Sequence, residues 1–503
     1  MSRQATGSIS RETYRFKKRP YKHQKQALRK LIQLGSGALL MEPRTGKTKV
    51  AIDYVSILAQ KGKIDRAVII CPPRVMDVWV QEFHDNCPLH YHITVWDKTE
   101  RRRGKLEPPR SNLYQLSILL VNYEAFAVPG RKLRSGRRSK ATGRYAFKKQ
   151  IASWLEGSPA ACILDESHKI KSPSGKASTM VVSMAPLYDY RLILTGTPVT
   201  KAKRTFDIWM QWEFLNPTRF EEFPTATEFK NNYGKWTNRN GFPQFLGLRN
   251  QDDLIARIHE DAFSITRAEC YDLPPKTETV VRIPLTTSGP VYDQLAAEMV
   301  AEIEEELEDG SMTHLTEASI PLVLALRLSQ ITGGFAKTTE GQILAVGNEK
   351  LTALAELLDD AIENDEKVVI CGRFRADLDA IMVLCVQKGV PIYAIRGGLS
   401  RQEVTANIAG FKNNKGVAAA VINPRAGGVG IDLSTAAHMI WYSLTSSWVD
   451  FTQCCDRIAL SPSATTYTYL LAENTVDELM YYTLQNDGDI GRAILKDPRK
   501  VLR

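Results

Sequence analysis

Short runs that are apolar on consecutive residues, not on alternate ones, recur along this sequence with helical stretches between them. The first half carries five, at 37–41, 67–71, 117–121, 161–164 and 191–194; the second carries four, at 367–371, 391–395, 418–422 and 439–442. A strand that is apolar on both faces must be covered on both, and strands alternating with helices build a parallel sheet with helices on either side. A chain of 503 residues is also too long for one ordinary core. The expected fold is therefore α/β, with two parallel-sheet lobes at 1–205 and 336–503. Between them, 206–335 reads as a mostly helical insertion, rich in aromatic residues and carrying the acidic run 302–309.

The net charge of +10 favours a polyanionic partner. Segment 128–150 sharpens this: it holds Arg131, Lys132, Arg134, Arg137, Arg138, Lys140, Arg144, Lys148 and Lys149 and no acidic residue. It reads as a loop able to contact a phosphate backbone, against the alternative of a solubilising loop. The eight cysteines form no C-x-x-C pair, and several lie in apolar runs, so buried reduced thiols are expected, not zinc or disulfides. The basic N-terminus lacks a signal-peptide core, and no apolar run approaches the roughly 20 residues that span a bilayer. The expected location is cytoplasmic, with access to DNA and no membrane partner.

Chemistry concentrates where apolar runs end. Glu42-Pro43-Arg44-Thr45-Gly46-Lys47-Thr48 joins a strand to a helix, a setting in which backbone N–H groups face a phosphate chain. Lys47 is placed to reach β- and γ-phosphates and the Thr48 hydroxyl to bind Mg²⁺, although Met41 stands where the G-x-x-x-x-G-K-[ST] pattern has its first glycine. Asp165-Glu166 ends another buried run; Asp165 suits Mg²⁺ and Glu166 suits polarising a water. Thr195-Gly196-Thr197-Pro198 ends a third, with hydroxyls able to link a nucleotide site to a bound strand.

In this order the pieces resemble the superfamily 2 helicases, and more closely the Swi/Snf-type branch of double-stranded DNA translocases, from about Arg19 to Glu478. Arg19 to Gln24 is similar to the segment whose glutamine reads adenine, which assigns Gln24. Cys71-Pro72-Pro73 with Trp79 resembles motif Ia, and Val121-Asn122-Tyr123-Glu124 resembles motif Ib. Asp165 to Lys171 resembles motif II, and Thr195 to Pro198 motif III. Phe214-Leu215-Asn216-Pro217 and Leu273-Pro274-Pro275-Lys276 are similar to markers of the same branch. Val368 to Phe374 resembles motif IV, and Ala426 to Leu433 motif V. The resemblance implies two RecA-like lobes, ATP and Mg²⁺ as cofactors, and double-stranded DNA gripped without sequence specificity. It assigns Arg44, Thr45, Gly46, Lys47, Thr48 and Gly430 to the nucleotide. It assigns Pro72, Arg74, Asn122, Gly427 and Gly428 to nucleic acid, joined by the basic loop.

Gln453, Asp456 and Arg457 fit motif VI, but the family's second arginine is replaced by Leu460. Loss of an arginine finger costs about 10³ to 10⁵ in rate. Either Arg457 or an unmatched residue such as Arg425 supplies the charge, or the enzyme is slow, partner-activated or a pseudo-ATPase. Three functions follow: a DNA translocase, a strand-separating helicase, or an ATP-gated DNA clamp with little hydrolysis.

Overall fold

The computed structural model describes residues 14–96, 106–107, 113–126, 142–155, 157–196, 205–239, 242–308, 314–338, 341–425 and 431–486. They fall into two compact units that divide between Cys270 and Tyr271.

The first unit is built on a seven-stranded sheet. Its strands are β1 (Gly37–Met41), β2 (Arg66–Cys71), β3 (Tyr91–Trp96), β4 (Leu116–Asn122), β5 (Ala160–Asp165) and β6 (Tyr190–Leu194), and farther along β9 (Ala262–Ile265). The order is β3-β4-β2-β5-β6-β1-β9, and every pair is parallel. β2 and β5 lie in the interior of the sheet and are buried at every position, as their unbroken apolar runs require. Helix α1 (Lys22–Leu34) buries Gln24, Ala27, Leu28 and Leu31, the three-and-four spacing of one helix face. Helix α2 (Lys47–Gln60) is buried without a break from Val50 to Leu58.

The stretch read as a helical insertion also supplies strands. Its hairpin β7 (Gly234–Arg239) and β8 (Phe242–Leu248) pairs with itself, and β9 extends the first sheet beside β1. The Phe214-Leu215-Asn216-Pro217 segment is tied to the residue before β9. Trp212 Nε1 and Asn216 Nδ2 each donate to the Asp261 carboxylate at 3.2 Å, and Arg219 grips it through Nε and Nη2, both at 2.8 Å. Such two-pronged pairing fixes orientation as well as distance.

The second unit has a six-stranded sheet, again parallel throughout. Its order is β10 (Lys276–Ile283), β17 (Thr465–Ala472), β16 (His438–Trp441), β13 (Lys367–Cys371), β15 (Ala418–Ile422), β14 (Ile392–Ile395). The short hairpin of β11 (Phe335–Lys337) and β12 (Ile343–Ala345) stands apart from this sheet. One apolar core lies on each face. Six of the eight cysteines are buried and two are half-buried, all as free thiols. Among the described residues no helix is long and apolar enough to cross a membrane, and no His/Cys/Asp/Glu group has metal-site geometry.

Polar groups inside this unit join the carboxyl ends of its strands. Lys350 forms a fully buried ion pair with Asp477 and donates to the Tyr442 carbonyl at 3.1 Å. Asp477 also accepts from Thr332 Oγ1 at 3.0 Å and from the Ala472 N–H at 3.2 Å. Asp377, equally buried, accepts from Ser443 and from the Phe374 N–H. Burial pushes the Asp377 carboxyl up to about 7, against the hydrogen bonds of Ser443 and Phe374 and the charge of Lys350. Between about pH 4 and 7 the folded chain therefore holds a proton that the unfolded chain has released, so stability falls as pH rises through that window. Urea titrations at pH 5 and pH 8 should show this loss in the wild type and a smaller one in Asp377→Asn. Equal losses in both proteins would contradict it.

Candidate active site

In a parallel sheet all strand carboxyl ends open on one edge, and the loops there receive ligands. In the first unit that edge carries the ends of β1, β2, β4, β5 and β6, and with them the residues singled out from the sequence.

The loop from Glu42 to Gly46 turns through two left-handed residues, Arg44 (φ 67°) and Gly46 (φ 85°), and Gly46 caps α2. The left-handed φ at 46 favours glycine, and a Cβ there would also lie 2.1 Å from Gln24 Nε2 and push that side chain aside. Thr45 is buried, its hydroxyl donating to the Glu42 carbonyl at 2.7 Å. The Thr45 carbonyl receives Gln24 Nε2 at 3.3 Å and lies 2.8 Å from His23 Nε2, which ties the loop to α1. Gln24 Oε1 in turn accepts from the Tyr21 N–H at 2.9 Å. On the other flank, Glu42 accepts from the Arg267 N–H at 2.9 Å and from its Nε at 3.2 Å.

Lys47 and Thr48 open α2, and Lys47 Nζ donates to the Met41 carbonyl at 2.7 Å. Met41, the departure from the glycine pattern, is thus the last residue of β1 and a backbone partner of the lysine. Asp165 and Glu166 follow at the end of β5, both buried. Asp165 Oδ2 accepts from Trp79 Nε1 at 2.8 Å, and Oδ1 from the Glu166 N–H at 3.0 Å. Glu166 is left-handed (φ 53°), and His168 Nδ1 lies 3.3 Å from its Oε2. His168 also lies 3.4 Å from Thr195 Oγ1. Gly196 closes against the loop, where a Cβ would lie 2.7 Å from Pro43 Cδ.

The two carboxyls are driven apart. Burial, then the Glu166 charge, pushes Asp165 up to about 7, opposed by the Trp79 N–H and the Lys47 ammonium. Burial acts on Glu166 in the same sense, but the His168 hydrogen bond and charge, with Lys47, hold it below the usual carboxylate range. Lys47 therefore acts electrostatically on both. The arrangement offers a glycine-turned loop at a helix N-terminus with its lysine, an ionised carboxylate in Glu166, the Thr48 hydroxyl and the Asp165 carboxyl. The last two are hard oxygen donors of the kind Mg²⁺ takes.

Other expected positions lie in both units. Pro72 precedes the turn Pro73–Val75 that holds Arg74, and Asn122 ends β4, its Oδ1 accepting from the Ala125 N–H at 3.0 Å. In the second unit, Gln453 is half-buried on the helix Trp448–Cys455, and Arg457 follows in the turn, buried, with Nη2 donating to the Pro424 carbonyl at 3.2 Å. Leu460 is half-buried, and exposed Arg425 pairs with Asp450 at 2.9 Å. Gly427, Gly428, Gly430, Arg131, Arg134, Arg137, Arg138, Thr197 and Pro198 lie outside the described residues. The sequence assigns no individual role to His23, Arg267 or Tyr123; each hydrogen-bonds to a distant segment, which no local pattern announces.

Residues 23–331 match the family described as the SNF2-related domain, and 349–459 match the helicase conserved C-terminal domain. A probable chromatin-remodeling complex ATPase chain of Oryza sativa subsp. japonica is 24% identical over 425 residues, covering 82% of this chain and 34% of that protein. The putative ATP-dependent helicase/translocase YwqA of Bacillus subtilis (strain 168) is 24% identical over 443 residues, covering 84% and 42%. The chain thus spans a third to two fifths of the length of these relatives. The solved Sulfolobus solfataricus SWI2/SNF2 ATPase core domain is 21% identical, covers 99% of this chain and 94% of that chain, and aligns with a TM-score of 0.40.

Gly46→Ala should lower the unfolding free energy by about 2 kcal/mol, the cost of a left-handed non-glycine residue joined to a clash. Adding Gln24→Ala removes the clash but not the strain, so the double variant should recover only part of the loss. Urea denaturation that left Gly46→Ala as stable as wild type would contradict this geometry.

Proposed function

The chain belongs to the SNF2-related family, and from that premise we propose that it is an ATP-driven motor that moves along duplex DNA. The observation that carries this reading is the convergence of Gly46, Lys47, Asp165 and Glu166 on one sheet edge, with Lys47 acting on both carboxylates.

In this reading the Gly46 loop wraps the phosphates with backbone N–H groups, and Lys47 leaves the Met41 carbonyl to neutralise them. Gln24, already bound to the loop, reads the adenine. Thr48 and Asp165 would hold Mg²⁺, which would supply positive charge to the phosphate oxygens. Glu166, kept ionised beside His168, orients the attacking water. Gln453 and Arg457 belong to the same chemistry, and a second motif VI arginine is lacking at Leu460. Pro72, Arg74, Asn122 and the basic segment 128–150 grip the phosphate backbone. Such contacts give affinity without sequence preference and a steep dependence on salt.

The test is ATP hydrolysis without nucleic acid and with single-stranded DNA, duplex DNA or RNA, using Lys47→Ala as control. Duplex DNA should stimulate most, and Lys47→Ala should abolish turnover. Unwinding of a forked duplex at the same rate would favour a strand-separating helicase. ATP binding without turnover on any substrate would contradict the motor and favour a clamp. Leu460→Arg should raise turnover at least about tenfold if the missing arginine limits rate.

A further inference from the structure

Two aromatic side chains converge on Asp165, and each belongs to an element that begins at a proposed DNA-gripping segment. Trp79 lies on α3 (Met76–Asn86), which starts directly after the turn Pro73–Val75. Its indole is buried, packs on Phe83 at 6.1 Å between ring centres, and donates to Asp165 Oδ2 at 2.8 Å. Tyr123 directly follows Asn122; it is buried too, and its hydroxyl donates to the Asp165 carbonyl at 2.8 Å. The Glu166 N–H holds the remaining carboxylate oxygen. One residue is thus gripped at carboxylate and backbone from three directions.

We propose that Trp79 and Tyr123 are positioning residues that couple the strand-gripping segments to Asp165, so that DNA binding sets the orientation of this carboxylate. The inference rests on the motor reading above and deepens it. Hydrogen bonds tolerate little change in length or angle, and the packed interior around these rings transmits small displacements without absorbing them. A shift of the Pro72–Val75 turn moves α3 and therefore the indole. A shift at Asn122 moves the neighbouring phenol. Both end on the same residue, so two contacts on one DNA backbone act on a single carboxyl group. The Trp79 bond ends on the carboxyl group itself and the Tyr123 bond on the backbone carbonyl, which makes Trp79 the larger contributor to its orientation.

Trp79→Phe and Tyr123→Phe each remove one polar hydrogen and keep an aromatic ring. The measurement is turnover with and without duplex DNA, alongside duplex affinity by anisotropy and binding of a fluorescent ATP analogue at varied Mg²⁺. In Trp79→Phe the ratio of DNA-stimulated to DNA-free turnover should fall about tenfold, a usual size for coupling between two sites. Duplex affinity should hold, and the Mg²⁺ midpoint for analogue binding should rise. Tyr123→Phe should lower the ratio less. The double variant should lower it by less than the product of the two, because both act through Asp165. If Trp79→Phe does not fold, the ratio in Tyr123→Phe decides alone. Equal loss of stimulated and DNA-free turnover, leaving the ratio intact, would overturn the coupling and leave the motor standing. Wild-type turnover indifferent to DNA would overturn the motor reading, and the coupling with it.

Discussion

Parallel strand pairing is the constraint from which the site follows. Because β1, β2, β4, β5 and β6 all run one way, Met41, Cys71, Asn122, Asp165 and Leu194 finish on a single edge. The candidate site residues of this edge then lie at the strand ends or within seven residues after them. Lys47 is separated from Asp165 by more than a hundred residues in sequence, yet the two interact because β6 alone lies between β1 and β5. Antiparallel pairing would send half of these loops to the opposite edge.

On that edge the backbone adopts costly conformations where the chemistry needs them. Arg44, Gly46 and Glu166 are left-handed, and only one is glycine. Strain of this kind persists where surrounding contacts over-determine it. For the Glu42–Gly46 loop those contacts are Gln24 and His23 from α1 and Arg267 from beyond β9. The loop is therefore held from both sides by segments more than 200 residues apart in sequence. The carboxyl pair shows the same economy. Both are buried, yet their acidities differ because His168 holds the charge of Glu166, while that charge raises Asp165 against the Trp79 hydrogen bond and Lys47.

Much of this was legible in the sequence where burial was two-sided. The runs at 37–41, 367–371 and 418–422 coincide with β1, β13 and β15, because an interior parallel strand writes its environment as unbroken apolar residues. Strands with one wet face left weaker marks. β3 and β10 are edge strands with many exposed or half-exposed positions, and β9 has only four residues. β17 carries its signal as Thr and Tyr alternation, β-branched and aromatic, not as an unbroken aliphatic run. The stretch 206–335, read as mostly helical, also contributes β9 to one sheet and β10 to the other. Motif residues were visible as letters, but not the contacts that orient them. Nothing local tells that Trp79 faces Asp165 or that Arg267 reaches Glu42.

In the motor reading proposed above, the Lys47, Asp165 and Glu166 site drives movement along duplex DNA. Displacement of a third strand from a DNA triplex tests it most directly, since a duplex translocase strips the third strand without parting the other two. Displacement from a triplex flanked by duplex should be ATP-dependent, absent without ATP and absent in Lys47→Ala. ATP hydrolysis that proceeds on this substrate while the third strand stays bound would contradict it.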